Sequence, residues 1–237
     1  MKHEAARIIG LYRRHGLAWE ALRRDSVFVE RGWLDRFLAA LPHGARGARI
    51  LDIGCGGGEP VARYLAGAGC RVTGIDTAPA LLALALARLP RHRWLRRDMR
   101  RLRLGRRFDG LVAWDSFFHL MAHDQRRMAV VFRRHTAPGA VLMFTSGPRH
   151  GEAMGRLSGE PLFHASLAPQ ACRRVLAARG FRVLAHAAED PGCGGRTVWL
   201  ARAERHSPSD ARPPISIRCT AWRFPNRLPR VTGSARV

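Results

Sequence analysis

Leu51-Asp52-Ile53-Gly54-Cys55-Gly56-Gly57-Gly58 is the stretch from which the rest of the chain can be read. Arg49-Ile50-Leu51 leads in as the end of a buried strand, and Val61, Tyr64 and Leu65 follow at helical spacing. A glycine loop between a strand and a helix lets the backbone approach a ligand closely. It also turns free N–H groups and the positive end of the helix dipole toward that ligand. The spacing narrows the ligand. A dinucleotide loop reads G-x-G-x-x-G, and its third glycine would fall on Glu59 counted from Gly54, or on Val61 counted from Gly56. Both positions fail, which disfavours an NAD-dependent oxidoreductase.

The strands that follow bring acids to their ends. Cys70-Arg71-Val72-Thr73-Gly74-Ile75-Asp76 closes on a carboxylate about twenty residues after the loop, where nucleotide-binding folds hold ribose hydroxyls. Its two oxygens can accept from both hydroxyls. The competing reading makes Asp76 the N-cap of a Leu81–Leu89 helix, a role Thr77 could fill as well. A third strand begins at Trp94-Leu95 and ends in Arg97-Asp98-Met99, and Phe108 to Asp115 reads as a fourth. Asp124 to Thr136 reads as a helix stopped by Pro138-Gly139, with Ala140 to Ser146 a buried fifth strand. Residues 147–169 are glycine-rich and long for a connection, so they are expected to form a functional lid carrying His150, Glu152, Glu160, Phe163 and His164. A helix over Gln170 to Arg179 and a strand pair, Phe181 to His186 and Thr197 to Arg202, close the domain. Upstream, Ile8, Leu11, Tyr12, His15, Trp19 and Leu22 mark an amphipathic helix over residues 4–22, and Trp33, Leu34, Phe37, Leu38 and Leu41 mark a second.

An acid two residues ahead of the loop, the second-strand Asp76, the third-strand Asp98, the fourth-strand Trp114-Asp115-Ser116 and a terminal strand pair occur in one order. Together they resemble the class I S-adenosylmethionine (SAM)-dependent methyltransferases of the small bacterial type, over residues 4 to 203. The resemblance implies an α/β, Rossmann-like fold: a seven-stranded, mostly parallel sheet with a terminal antiparallel hairpin and helices on both faces. It implies a methyltransferase domain over residues 1–204, with residues 1–45 as a helical cap. SAM would be the cofactor, its methionine part against Gly54, Cys55 and Gly56, with Gly58 completing the turn and Asp52 ordering the loop backbone. Asp76 and Thr77 would serve the ribose. Asp98 would accept from the adenine amine with Met99 beside the ring, and Trp114 and Asp115 would border the cofactor. Methyl transfer by in-line SN2 attack asks mainly for alignment and exclusion of water. Asp115, His119 and His164 are the polar candidates for catalysis, the histidines as bases where the acceptor must lose a proton.

The acceptor is expected to be a small molecule. Ser116-Phe117-Phe118-His119 stands where amino-group methyltransferases acting on nucleobases carry N/D-P-P-Y/F. The formal charge of +23 points toward nucleic acid, but Lys2 is the only lysine and the arginines are scattered without interleaved aromatics. A nucleic-acid methyltransferase and a non-catalytic SAM-fold binding protein are the alternatives. The five cysteines form no C-x-x-C, so neither a metal site nor a disulfide framework is expected, and a cytoplasmic location is the default. No uncharged run approaches the ~18 residues of a membrane span, and Met1 to Arg7 lacks the apolar core of a secretory signal. A monomer or homodimer is expected.

From Arg205 the composition changes to Ser207-Pro208-Ser209, Pro213-Pro214, Pro225 and Pro229, with seven arginines against one acid over residues 205–237. Such a segment has too few periodic apolar residues to offset its ordering entropy and is expected to be a disordered tail. Deleting residues 205–237 is therefore expected to leave SAM affinity and the thermal midpoint nearly unchanged. Loss of a sequence-selective nucleic-acid affinity on truncation, measured near physiological salt, would contradict this.

Overall fold

Backbone pairing sets β1 (Arg49–Ile53) between two parallel neighbours, β2 (Arg71–Asp76) and β4 (Phe108–Ala113). The structure is a computed structural model that describes residues 2–24 and 27–204. Adding β3 (Arg93–Arg96), β5 (Thr136–Ser146), β8 (Phe181–Asp190) and β9 (Arg196–Ala203) gives a seven-stranded sheet of order β3-β2-β1-β4-β5-β9-β8. β9 runs antiparallel to both β5 and β8. The order reverses direction between β1 and β4, so the C-terminal ends of β1, β2 and β4 open on a crevice, the place where ligands bind in open α/β sheets.

Alternation along the strands builds two separate cores. Leu51, Ile53, Leu111, Ala113, Leu142 and Phe144 point to one face, where they meet α5 (Ala122–His135) and α6 (Pro169–Ala177). Ile50, Val112, Trp114, Val141 and Met143 point to the other, where they meet α2 (Arg31–Ala39) and α3 (Val61–Gly67). α4 (Pro79–Arg88) packs beside β2 and β3 and touches α1 (Lys2–Arg24).

Several expectations change. The stretch after β5 is no irregular lid: β6 (Gly151–Leu157) and β7 (Glu160–Ser166) pair antiparallel as a hairpin outside the main sheet. The turn Leu157-Ser158-Gly159-Glu160 carries positive φ at Ser158 and Gly159, which lets the strands reverse tightly. Pro138-Gly139 does not separate helix from strand, because β5 begins at Thr136, directly after α5. Of the cap expected over residues 1–45, only α1 reaches the crevice. α2 buries Trp33, Leu34 and Phe37 under the sheet instead, because its apolar stripe is wide enough to belong to the core. The tail expectation falls on residues 205–237, outside the described residues.

Gly110 in β4 fixes how near α2 can come. A Cβ there would lie 2.5 Å from Phe37 Cζ and 2.9 Å from Ile50 Cδ1. Gly110→Ala is expected to cost about 1–3 kcal/mol by overpacking, read as a lower urea midpoint at unchanged slope. An unchanged midpoint would mean that α2 shifts freely on the sheet.

Candidate active site

The glycine loop leaves β1 with φ of 78° at Gly54, 53° at Gly56 and 82° at Gly58, a path open to glycine and strained for other residues. Space is equally restrictive, since a Cβ on Gly54 would lie 2.5 Å from the Ser116 Cβ. The loop's amides are held from outside it. Gly54 N and Cys55 N donate to the Ile75 carbonyl at 2.8 and 3.0 Å. Gly56 N donates to Asp76 Oδ2 at 3.1 Å, while Asp76 Oδ1 accepts from Ala78 N at 2.9 Å. One carboxylate at the end of β2 thus ties the loop to the start of α4. Thr77 makes no capping bond; the N-cap position is Ala78, because Asp76 already holds that amide.

α1 lies across this loop. Glu20, 2% exposed, accepts from Gly57 N at 3.3 Å and pairs with Arg88, whose Nη1 also donates to the Gly57 carbonyl at 3.0 Å. Sequence reading missed Glu20, although it repeats the four-residue spacing of Tyr12 and Gly16 that marks one helix face. It missed Arg88 entirely, as nothing in the sequence separates one exposed-looking arginine from the others.

Between α1 and the strand ends lies a cavity of about 770 Å³. Ile8, Ile9, Tyr12 and Trp19 roof it, Gly54, Gly56, Asp76 and Thr77 form one side, and Asp98, Met99, Asp115, Ser116 and His119 the other. Asp98 is less free than expected. It caps the short 3-10 turn Met99–Arg101 by accepting from Arg100 N at 2.9 Å, and its carboxylate also takes the Arg100 guanidinium. Burial pushes its pKa up, but the Arg100 hydrogen bonds outweigh that and hold it below the usual range. Asp115, at φ 44°, accepts a fork from Arg196 Nε and Nη2 at 3.1 and 3.0 Å.

Asp52 and Trp114 stand apart from this group, in a smaller cavity behind Gly54. The expectation that Asp52 orders the loop backbone is not met. Asp76, Glu20 and Ile75 take the loop amides, because alternation along β1 sends Asp52 to the face it shares with Ile50 and Trp114.

His119 is 7% exposed, and both ring nitrogens are engaged. Nδ1 lies 2.9 Å from the Phe163 carbonyl, which can only accept, so Nδ1 carries the proton. Nε2 then accepts from Tyr12 O–H at 3.0 Å. Burial pushes the His119 pKa down to about 4, the Phe163 hydrogen bond opposing and His164 adding to the shift. Burial, then the carboxylates of Asp115 and Asp76, push the Tyr12 hydroxyl well up. His164, on β7, is 5.0 Å from the His119 ring centroid but lines a different cavity, with Ser146 and His150.

Residues 50–139 match a family model described as methyltransferase domain. This stretch is a methyltransferase domain. Solved structures share the wider fold. An amino pentose methyltransferase from Micromonospora echinaspora, solved with SAM bound, is 23% identical at TM-score 0.62, over 78% of this chain and 96% of that one. The magnesium protoporphyrin IX methyltransferase from Synechocystis PCC 6803, also with SAM, is 16% identical at 0.66, over 85% and 97%. A 1,6-didemethyltoxoflavin-N1-methyltransferase from Burkholderia thailandensis, with its acceptor and S-adenosylhomocysteine, is 20% identical at 0.63, over 82% and 88%. No curated protein sequence matches. Domain and fold are those of a class I SAM-dependent methyltransferase, and SAM is the cofactor that goes with them. The methyltransferase domain has the groups this cofactor requires: a bare glycine turn, a carboxylate at the end of β2, and a mainly apolar roof.

The buried neutral His119 makes stability depend on pH. Its folded pKa of about 4 lies below its ordinary 6.5, so the unfolded chain binds the proton first and stability falls as pH drops from 6.5 toward 4. The loss from this group is expected to reach roughly 3 kcal/mol. Unfolding free energies at pH 7 and pH 4.5 should differ less in His119→Gln than in the parent chain; equal differences would remove His119 as the cause.

Proposed function

We propose that this methyltransferase domain transfers the SAM methyl group to a small-molecule acceptor whose attacking atom is nucleophilic without prior loss of a proton, such as an amine nitrogen. The observation that carries the reading is the main cavity, roofed by α1 and lined by ionisable groups that are already bound within the protein. Among the described lining residues, Asp76 is taken by Gly56 and Ala78, Asp98 by Arg100, Asp115 by Arg196, and His119 by Tyr12 and the Phe163 carbonyl. A histidine with its pKa pushed to about 4 is too weak a base to ionise a hydroxyl before attack.

When bound, SAM supplies an electrophilic methyl on a sulfonium with a neutral leaving group. The chain's own residues align and exclude water. Asp76, at the end of β2, would accept from the ribose hydroxyls while keeping the loop amides fixed, and Met99 would lie beside the adenine. Ile8, Ile9 and Trp19 shield the cavity, which strengthens every polar contact inside it. Tyr12 donates its proton to His119, so its oxygen is left with lone pairs to orient an acceptor N–H. The nucleic-acid alternative rests on net charge alone, and a roofed cavity suits a small acceptor better than a polymer.

The test offers labelled SAM to the protein with separate pools of primary and secondary amines, alcohols and phenols. Label is expected in the amine pool, with transfer falling as pH drops below the acceptor's own pKa. Transfer confined to alcohols or phenols would overturn the base-free reading, and transfer only to RNA or DNA would overturn the small-molecule one.

A further inference from the structure

The smaller cavity behind Gly54, about 310 Å³, is bordered by Asp52, Trp114 and Arg23. Three observations set it apart. Asp52 is 2% exposed, and no hydrogen-bond donor meets its carboxylate among the described residues. Trp114 is 5% exposed, and its Nε1 is buried without an acceptor. Arg23, in the last turn of α1, brings a guanidinium to the same space, where it pairs with the buried Glu30. A buried acceptor and a buried donor left without partners each cost on the order of 1–3 kcal/mol, more when charged. Such groups persist where a ligand completes them.

The pair also specifies the ligand. An amine alone would satisfy Asp52 and leave the indole N–H idle. A carboxylate alone would satisfy Trp114 and bury a second negative charge beside Asp52. A metal ion lacks ligands here, since no cluster of three or more His, Cys, Asp or Glu suited to one occurs among the described residues. A group with an ammonium and a carboxylate on one carbon meets both needs at once.

We propose that this cavity is a receptor for a zwitterionic α-amino-acid group, the amino-acid end of the cofactor, with its ammonium on Asp52 and its carboxylate on Trp114 Nε1 and the Arg23 guanidinium. The assignment rests on the SAM reading of the larger cavity, to which Gly54 is common. It gives Trp114 a role as a hydrogen-bond donor, which its place in an apolar strand conceals. It also accounts for the charge state of Asp52. Burial, and then the neighbouring Asp76, push its pKa up to about 7, as expected of a carboxylate whose cation is supplied by a ligand.

The experiment titrates the full chain with two ligands, S-adenosylhomocysteine and 5′-methylthioadenosine, which keeps the nucleoside and thioether but lacks the amino-acid group. Calorimetry is run on the parent chain, on Trp114→Phe, which removes only the indole N–H and part of the ring, and on Asp52→Asn. The parent is expected to bind S-adenosylhomocysteine at least about tenfold more tightly than the truncated ligand. Each variant is expected to lose about tenfold for S-adenosylhomocysteine and to bind 5′-methylthioadenosine as the parent does. Equal losses for both ligands would assign Trp114 and Asp52 to the scaffold and overturn the subsite while leaving the cofactor reading intact. Unchanged affinity for both would do the same. A parent chain that binds neither ligand would overturn the cofactor reading and the subsite with it.

Discussion

The carboxylate of Asp76 holds two pieces of backbone that the sheet alone leaves unconnected. One oxygen takes the amide of Gly56 and the other the amide of Ala78, so the glycine loop after β1 and the turn into α4 share a single anchor. Burial opposes the ionised form of Asp76 and raises its pKa, while these amide bonds pull it back. Everything else at the crevice is placed relative to that anchor. The positive φ of Gly54, Gly56 and Gly58 is affordable to no side chain-bearing loop of this shape, and the loop stays in it because its N–H groups are all spoken for.

The second constraint is electrostatic. Glu20, Glu30, Asp52 and Asp76 lie close to one another in a protein whose formal charge is +23. Arg88 on Glu20, Arg23 on Glu30 and Arg196 on Asp115 compensate three of the carboxylates locally. Arginine suits this work because its planar fork binds a carboxylate through two donors and sheds water more readily than an ammonium. Part of the arginine excess is therefore structural: these three residues fasten α1, the end of α4 and β9 to the rim of the site. Asp52 is the exception within the cluster, and its lack of a protein cation distinguishes it from its neighbours.

Closure of the site depends on contacts between segments far apart in the chain. α1 reaches the hairpin β6–β7 through Arg14 and His15, both on Glu160, and through Tyr12, which meets His119 as His119 meets the Phe163 carbonyl. The surface ion pairs contribute little individually. The buried Tyr12–His119–Phe163 chain is the firmer link, because each of its polar groups would otherwise be left without a partner in a dry interior.

The order of strands and helices was legible in the sequence because local patterns carry it: alternation in strands, three-and-four spacing in helices, and glycines where the backbone must turn. The loop at Gly54 to Gly58 and the acid at Asp76 were legible for the same reason, since the chemistry of a short segment fixes their place at the strand ends. The β6–β7 hairpin was not, as Gly151 to Ser166 mixes glycine, charge and apolar residues without a clean alternation. Nor was the state of the polar residues. Asp98 and Asp115 read as open carboxylates, yet Arg100 and Arg196 occupy them, and His119 read as a base, yet Tyr12 and Phe163 take both its nitrogens. A carboxylate or imidazole acquires its charge and its free lone pairs from whatever packs beside it, and those partners lie 2 residues away for Asp98 but 81 for Asp115 and 107 for His119. The sequence determined which groups stand at the crevice; only the tertiary structure decided which of them remain free to meet a ligand.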